Sequence, residues 1–264
     1  VGDVYVRLDD LKADGSFDAD LLRLAERMSR AVDDVCGRTF GAVVATRDYD
    51  GDGTTRLWVL DVLSAATVTV DQDDDGVYET PVASTDYVLF PNDGPPYLRL
   101  DLRATASLGA WPLGRRTVRI TATWGYSYEV EDTGQAVQNA GGINATATSV
   151  QVAASSAISR GETIRIDDEQ MTVSAVPDAT HLTVVRGING TTAASHAQSA
   201  AIHRRRYPRP IEQAVLMQVG RFWTEQKTGY GGMMGAPEIG GVTFRHLYPA
   251  IRDMLSPYRL LGVA

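Results

Sequence analysis

The sequence predicts an α+β fold: a helical parent domain with an antiparallel β region, plus an inserted small all-β module. Three observations predict it. Apolar residues recur at helical spacing near the start of the chain and again after residue 210. Between them lie short segments rich in β-branched residues, separated by Asp-Gly and Pro-rich turns. Composition then shifts over 133–201, which are rich in Ala, Ser, Thr and Gly and hold no Phe, Trp or Tyr.

The first helix is expected over 16–37. Ser16 is placed to cap it, and Asp18 and Asp20 favour the positive end of its dipole. Phe17, Leu21, Leu24, Met28, Val32 and Val35 form one stripe, and Gly37 suits the left-handed residue that ends a helix. The β region covers 39–126. Its strands are 57–60, 66–70, 87–90, 97–100 and 117–122, with turns at Asp50-Gly51-Asp52-Gly53, Asp74-Asp75-Gly76 and Pro91 to Pro96. Within the module at 133–207, strands are expected at 149–152, 162–166, 170–173 and 181–185, with Asp167-Asp168-Glu169 as a hairpin turn. A core without aromatic residues is marginal at this size, so the module needs a neighbour to lean on.

Pro210 opens a helix over 210–227, with Ile211, Val215, Val219 and Phe222 on one stripe. The Gly-rich stretch from Tyr230 to Gly235 reads as a loop. A short helix over 246–256 would bury Leu247, Ile251 and Leu255, with Pro249 in its first turn and Pro257 ending it. Apolar stripes at both ends of the chain need each other. The expected partition is therefore one discontinuous domain, 1–130 with 208–264, into which 133–207 is inserted.

Charge and composition exclude several functions. With 25 Lys+Arg against 33 Asp+Glu, the net charge is −8. A dedicated nucleic-acid binder would need a cationic face for counterion release. The single cysteine, Cys36, forbids an internal disulfide and suits a small buried apolar position. No apolar run is long enough to span a bilayer, and the polar, acidic opening reads as neither a signal nor a transit peptide.

No catalytic signature stands out, so no enzyme activity, catalytic residue or cofactor is expected. There is no nucleophile elbow, no paired-histidine zinc helix and no phosphate-binding loop. His181, His196, His203 and His246 share no metal-ligand spacing and read as surface residues. Asp48-Tyr-Asp50-Gly-Asp52-Gly53 and Asp71-Gln-Asp73-Asp-Asp75-Gly76 both match the start of a calcium loop. Neither supplies the closing glutamate: Glu79 comes too early, and Val82 occupies its place. Acidic hairpin tips are the preferred reading, so no metal site is assigned. Arg204-Arg205-Arg206-Tyr207-Pro208-Arg209 is the one dense basic run, read as a solvated junction in preference to a nucleic-acid contact. Asn144-Ala-Thr146 and Asn189-Gly-Thr191 match the glycosylation acceptor by chance.

The order and local motifs resemble those of the head-tail connector proteins of long-tailed bacteriophages, also called adaptor or head-completion proteins. The residues that carry the resemblance run from Leu22-Arg-Leu-Ala-Glu-Arg-Met28 and Cys36-Gly-Arg-Thr-Phe40 to Thr46-Arg-Asp-Tyr-Asp-Gly-Asp-Gly53 and Leu57-Trp-Val-Leu60. They continue through Tyr87-Val-Leu-Phe-Pro91, Pro96-Tyr97 and Val118-Arg-Ile-Thr-Ala-Thr-Trp-Gly-Tyr126 to Pro210-Ile-Glu-Gln-Ala214, Arg221-Phe-Trp223 and Leu255-Ser-Pro-Tyr-Arg259. Gly161 to Val173 and Arg186-Gly-Ile-Asn-Gly-Thr-Thr192 look like a small β module of other phage virion proteins.

The resemblance implies a structural virion protein of the neck, assembled in the host cytoplasm. It would be a subunit of a twelve-fold homo-oligomeric ring between the portal protein and a tail-side connector or stopper protein. Genomic DNA would pass through the lumen without specific binding, and no membrane is involved. An acidic chain suits a conduit that must not grip phosphate. The resemblance also implies that the chain end docks on the portal. Tyr258, Arg259, Leu260 and Leu261 are the expected contacts, an apolar and aromatic run too short to fold alone. The alternative function is a calcium-dependent carbohydrate- or surface-binding β protein of the virion.

Overall fold

The computed structural model describes residues 3–7, 18–227 and 248–260. Ser16, Phe17, the stretch from Tyr230 to Gly235, His246, Leu247 and Leu261 lie outside the described residues.

The molecule is mostly β, which corrects the helical parent domain expected above. Two antiparallel sheets of six strands each carry the fold, and the described residues hold three helices. The helices are α1 (Asp18–Cys36), α2 (Arg209–Lys227) and α3 (Pro249–Leu255). The physical reason lies in strands without an apolar signal. Strands β1 (Val43–Gly51), β7 (Val130–Ala136) and β12 (Ala201–Arg205) are polar or charged, and each is held by its ladder partners more than by an apolar face.

The chain forms two compact units. One takes in the residues up to Gly37, Glu129–Ile188 and those from Thr192 onward; the other is Arg38–Tyr128 with Asn189–Thr191. The helices thus share a unit with the second sheet, a grouping different from the expected 1–130 with 208–264.

In the helical unit, α1 buries Leu21, Leu24, Ala25, Val32 and Cys36, and α2 buries Ile211, Ala214, Val215 and Val219. These stripes meet, and α3 packs on both through Ile251 and Leu255. Gly37 ends α1 at φ +65°. The segment Asp3–Arg7 threads alongside. Its Tyr5 is fully buried, donates its N–H to Ser29 Oγ (3.1 Å) and its hydroxyl to Asp33 (2.7 Å), and packs at a tilt against the Tyr207 ring, 4.5 Å between centroids. Burial, reinforced by Asp33, pushes the Tyr5 phenol far above its usual range.

The second sheet in this unit also includes β8 (Ser149–Gln151), β9 (Thr163–Ile166), β10 (Glu169–Asp178) and β11 (His181–Val185), in the order β7-β12-β9-β10-β11-β8. Its core is aliphatic: Val150, Ile164, Ile166, Met171, Leu182 and Ile202 are fully buried.

The other unit adds β2 (Arg56–Val70), β3 (Thr80–Pro81), β4 (Tyr87–Phe90), β5 (Tyr97–Leu102) and β6 (Gly114–Trp124) to β1, in the order β1-β6-β2-β5-β4, with β3 beside β2. Sequence reasoning split β2 into two strands. It is one strand that changes partner: its first half pairs with β5 and its second with β6. The turnover falls at Asp61, at φ +48°, among register shifts that bend the strand. Trp111, Trp124, Leu100 and Ile120 fill the core it encloses. Asp61 is buried and pairs with Arg38 at 3.2 Å. Burial nevertheless raises its carboxyl pKa, with Arg38 and Arg47 opposing.

Gly190 tests how tightly the Asn189–Thr191 segment is seated. Asn189 O accepts the Val44 N–H at 2.8 Å, and a Cβ on Gly190 would lie 1.9 Å from Val44 O. Gly190→Ala should therefore lower the melting temperature by more than Gly134→Ala. Both glycines sit at left-handed φ, +76° and +68°, but Gly134 faces open space. Each change carries roughly 1–2 kcal/mol of backbone strain, and only Gly190 adds a clash. Equal melting temperatures for the two variants would contradict this seating.

Candidate functional site

Most of the basic run is turned inward or paired, and Arg209 is its exposed member. Arg204 and Arg205 are buried, which corrects the solvated junction read from sequence. Arg204 pairs with Glu162 at 3.3 Å and donates to the Ala157 carbonyl; Arg7 reaches the same carboxylate at 2.7 Å. Arg206 pairs with Glu131 (3.0 Å) and Glu212 (3.5 Å). Burial raises the Glu162 pKa, opposed by Arg204, the Ser159 N–H and Arg7. A small cavity of about 20 Å³ beside these groups has room for a water.

The two Asp-rich turns behave differently. In the first, Asp48 takes Arg119 through both oxygens (2.8 and 3.0 Å) and Arg116 at 2.6 Å, and its pKa falls to about 2, chiefly through Arg119. Asp50 accepts the Arg116 N–H, and Asp52 accepts the Thr54 N–H and hydroxyl. These carboxylates are spent on protein donors and do not converge.

In the second turn they do converge. Ligand atoms of Asp71, Asp73, Asp75 and Glu79 all lie within 4.8 Å of one another. Asp71 is buried and accepts the N–H groups of Asp75 (3.3 Å) and Gly76 (2.8 Å). Burial pulls its pKa up, but those donors and the Asp74 N–H outweigh it, and the net shift is downward. The Asp73 carboxyl is pushed up, first by Asp75 and less by Glu79 and Asp71. Sequence spacing dismissed Glu79 as too early for a calcium loop. Spacing along the chain could not show that the turn folds back and brings it in.

One network had no sequence signal beyond its residue types. Glu169, at the start of β10, receives Arg186 through Nε and Nη2 (2.7 Å each) and the N–H groups of Gly187 and Ala194 (2.9 Å each). His196 Nε2 approaches it at 2.9 Å, while Nδ1 faces Asp167 at 2.7 Å. The His196 side chain is 1% exposed, so it is no surface histidine. Burial alone would raise the Glu169 pKa; Arg186, the Ala194 N–H, His196 and the Gly187 N–H together lower it to about 2. The network fixes both ends of the loop Arg186–His196.

Of the expected portal contacts, Tyr258 and Leu260 are half-buried and Arg259 is exposed. The Leu260 N–H donates to Cys36 O at 2.9 Å, so the described end of the chain runs beside the last turn of α1. A row of exposed residues that sequence reading counted only as strand lies across β2, β5 and β4. Trp58, Arg99 and Phe90 are direct cross-strand neighbours, and the Arg99 guanidinium stacks on both rings, at 5.1 Å and 4.3 Å. Asp101 holds that guanidinium through two bonds of 2.6 and 2.7 Å.

No family model matches this chain, and no curated protein or solved structure matches it either. No helix among the described residues is long and apolar enough to cross a membrane.

Glu169→Ala should destabilise the protein by about 3–5 kcal/mol, because it strands a buried guanidinium. The wild-type contribution is present above the ordinary carboxyl pKa of 4.5 and is lost as pH falls toward about 2. Denaturant titrations of both proteins should therefore differ most at neutral pH and converge in acid; a constant gap would contradict the assignment. Asp73→Asn should raise the melting temperature at neutral pH, since it removes a charge that its neighbours disfavour. The gain should vanish once the carboxyl is protonated. A lower melting temperature would mean that the repulsion is not what governs this turn.

Proposed function

We propose that the chain is a subunit of a head-tail adaptor ring of a long-tailed phage, joining the portal to the tail-side connector or stopper. The ring is a head-to-tail homo-oligomer, twelve-fold in the family it resembles, with DNA passing through its lumen. One observation carries this reading. Helix α1 packs on α2 and α3, although about 170 residues separate α1 from α2 and both sheets are built from the chain between them. That is the order that the resemblance implies.

Three further points support it. The described end of the chain lies beside α1 with Tyr258 and Leu260 half-buried and Arg259 exposed, which leaves surface for a second protein. Arg204 and Arg206 are paired internally and Arg205 is buried, which leaves little of the basic run for DNA. The exposed Trp58–Arg99–Phe90 row has the composition of a protein contact.

The rival reading, calcium-dependent binding of a carbohydrate or surface, rests on the convergence of Asp71, Asp73, Asp75 and Glu79. Calcium that stabilises the wild type but not Asp73→Asn would favour it.

Electron microscopy of the full chain mixed with the portal protein of the same phage tests the proposal. The expected image is a ring capping one end of the portal. Truncation after Ser256 should abolish that ring with little change in melting temperature. Portals that stay bare with the wild type contradict the reading, and portals still capped by the truncated chain remove the tail from the contact.

A further inference from the structure

We infer that the outer sheet face around Trp58 is a docking surface for a second copy of this chain, which seats there the acidic end of its own first sheet. The inference rests on the ring reading above and assigns the contact that builds the ring.

The receiving face is exposed and apolar where a lone subunit gains nothing from it. Trp58 is 50% exposed, Leu60 44% and Phe90 40%. Their neighbours alternate inward: Leu57, Val59 and Leu100 fill the core, so the outward row is not a displaced core. Arg99 is clamped between the two rings and by Asp101 before any partner arrives. An aromatic–arginine platform held rigid in advance loses little entropy on binding. The edge beside it is open, since β4 ends the sheet.

The charge of this face selects the occupant. Arg99 is neutralised by Asp101, which leaves Arg56 and Arg103 against Asp86. A net positive face on a chain of charge −8 is complementary to most of the molecule's own surface.

One end of the same unit matches it. The turn at 50–55, the turn at 71–79 and the loop at 111–117 gather together: Arg116 N–H donates to Asp50, Tyr78 hydroxyl to Arg116 O, Gly51 N–H to Thr117 Oγ1, and Asp71 N–H to Thr117 O. Carboxylates outnumber guanidiniums there, with Asp52, Asp73, Asp74, Asp75 and Glu79 exposed. Two aliphatic side chains project from among them, Leu113 at 78% exposure and Val77 at 56%. An acidic end bearing aliphatic knobs complements a cationic aromatic shelf.

The two patches use different residues, and we take their pairing to be head to tail, a heterologous contact. A heterologous contact leaves one shelf and one knob unused after each addition and propagates to a ring when the rotation closes. Reciprocal pairing of both patches between the same two subunits would give an isologous dimer instead, and wild-type association would then stop at two subunits.

The test uses the full chain, its Trp58→Ala and Leu113→Ser variants, and sedimentation velocity over a wide concentration range at low and high salt. Both side chains are exposed, so both variants should keep the wild-type melting temperature, which is checked first. The wild type should associate with concentration, and more weakly at high salt. Each variant should lose affinity by roughly tenfold or more. An equimolar mixture of the two variants should recover association that stops at the dimer, because it contains one intact shelf and one intact knob per pair. A wild type that stays monomeric throughout, variants that associate like the wild type, or a mixture that stays monomeric would overturn the inference. Portal binding is read separately. Trp58→Ala subunits that still ring the portal would remove this interface and leave the adaptor reading standing; variant mixtures that dimerise while the wild type ignores the portal would do the reverse.

Discussion

Charge taken out of water must be paired, and that constraint shapes this molecule more than any single apolar contact. Glu169, Glu162, Arg204 and Asp61 all lie inside, and each has a counter-ion within 3.3 Å. Removing one partner of such a pair costs far more than the pair gains over a well-packed apolar substitute. These pairs therefore act as specifiers of chain course. Glu169 dictates where the loop Arg186–His196 begins and ends. Glu162 draws Arg7 and Arg204 to one point, which fixes the segment before α1 against β12. Asp61 holds its place where β2 changes partner.

The same constraint decides what is left for function. Arg204 and Arg206 are consumed in ion pairs, and the carboxylates of the first Asp-rich turn are spent on protein donors. What remains on the outside is an aromatic and arginine row, an acidic end with aliphatic tips, and a short tail beside α1. Those surfaces are the ones the adaptor reading uses.

Much of the fold was legible where apolar periodicity was strong. The stripe of α1, its Gly37 stop, the hairpin around Asp167-Asp168 and the strands at Leu57, Tyr87, Tyr97 and Val118 all carry local signals that packing respected. The β-rich balance was not legible. Strands β1 and β12 read Val-Val-Ala-Thr-Arg-Asp-Tyr and Ala-Ile-His-Arg-Arg, and their pairing is set by partners far away in sequence. The charged pairs were equally invisible. Nothing local says that Arg204 turns inward, that His196 is enclosed by Asp167 and Glu169, or that Glu79 comes back to Asp71. Trp58 was read as a strand residue, and only the cross-strand register shows that it stands beside Arg99 and Phe90 on the outer face.

Hydrogen exchange of the full chain, alone and bound to the portal as a ring, tests the central claim most directly. The account predicts new protection in β2 and β4 around Trp58 and Phe90, in the turns at 71–79 and 111–117, and at 258–260, with no change at 204–206. Protection gained at 204–206 while those surfaces exchange as before would contradict it.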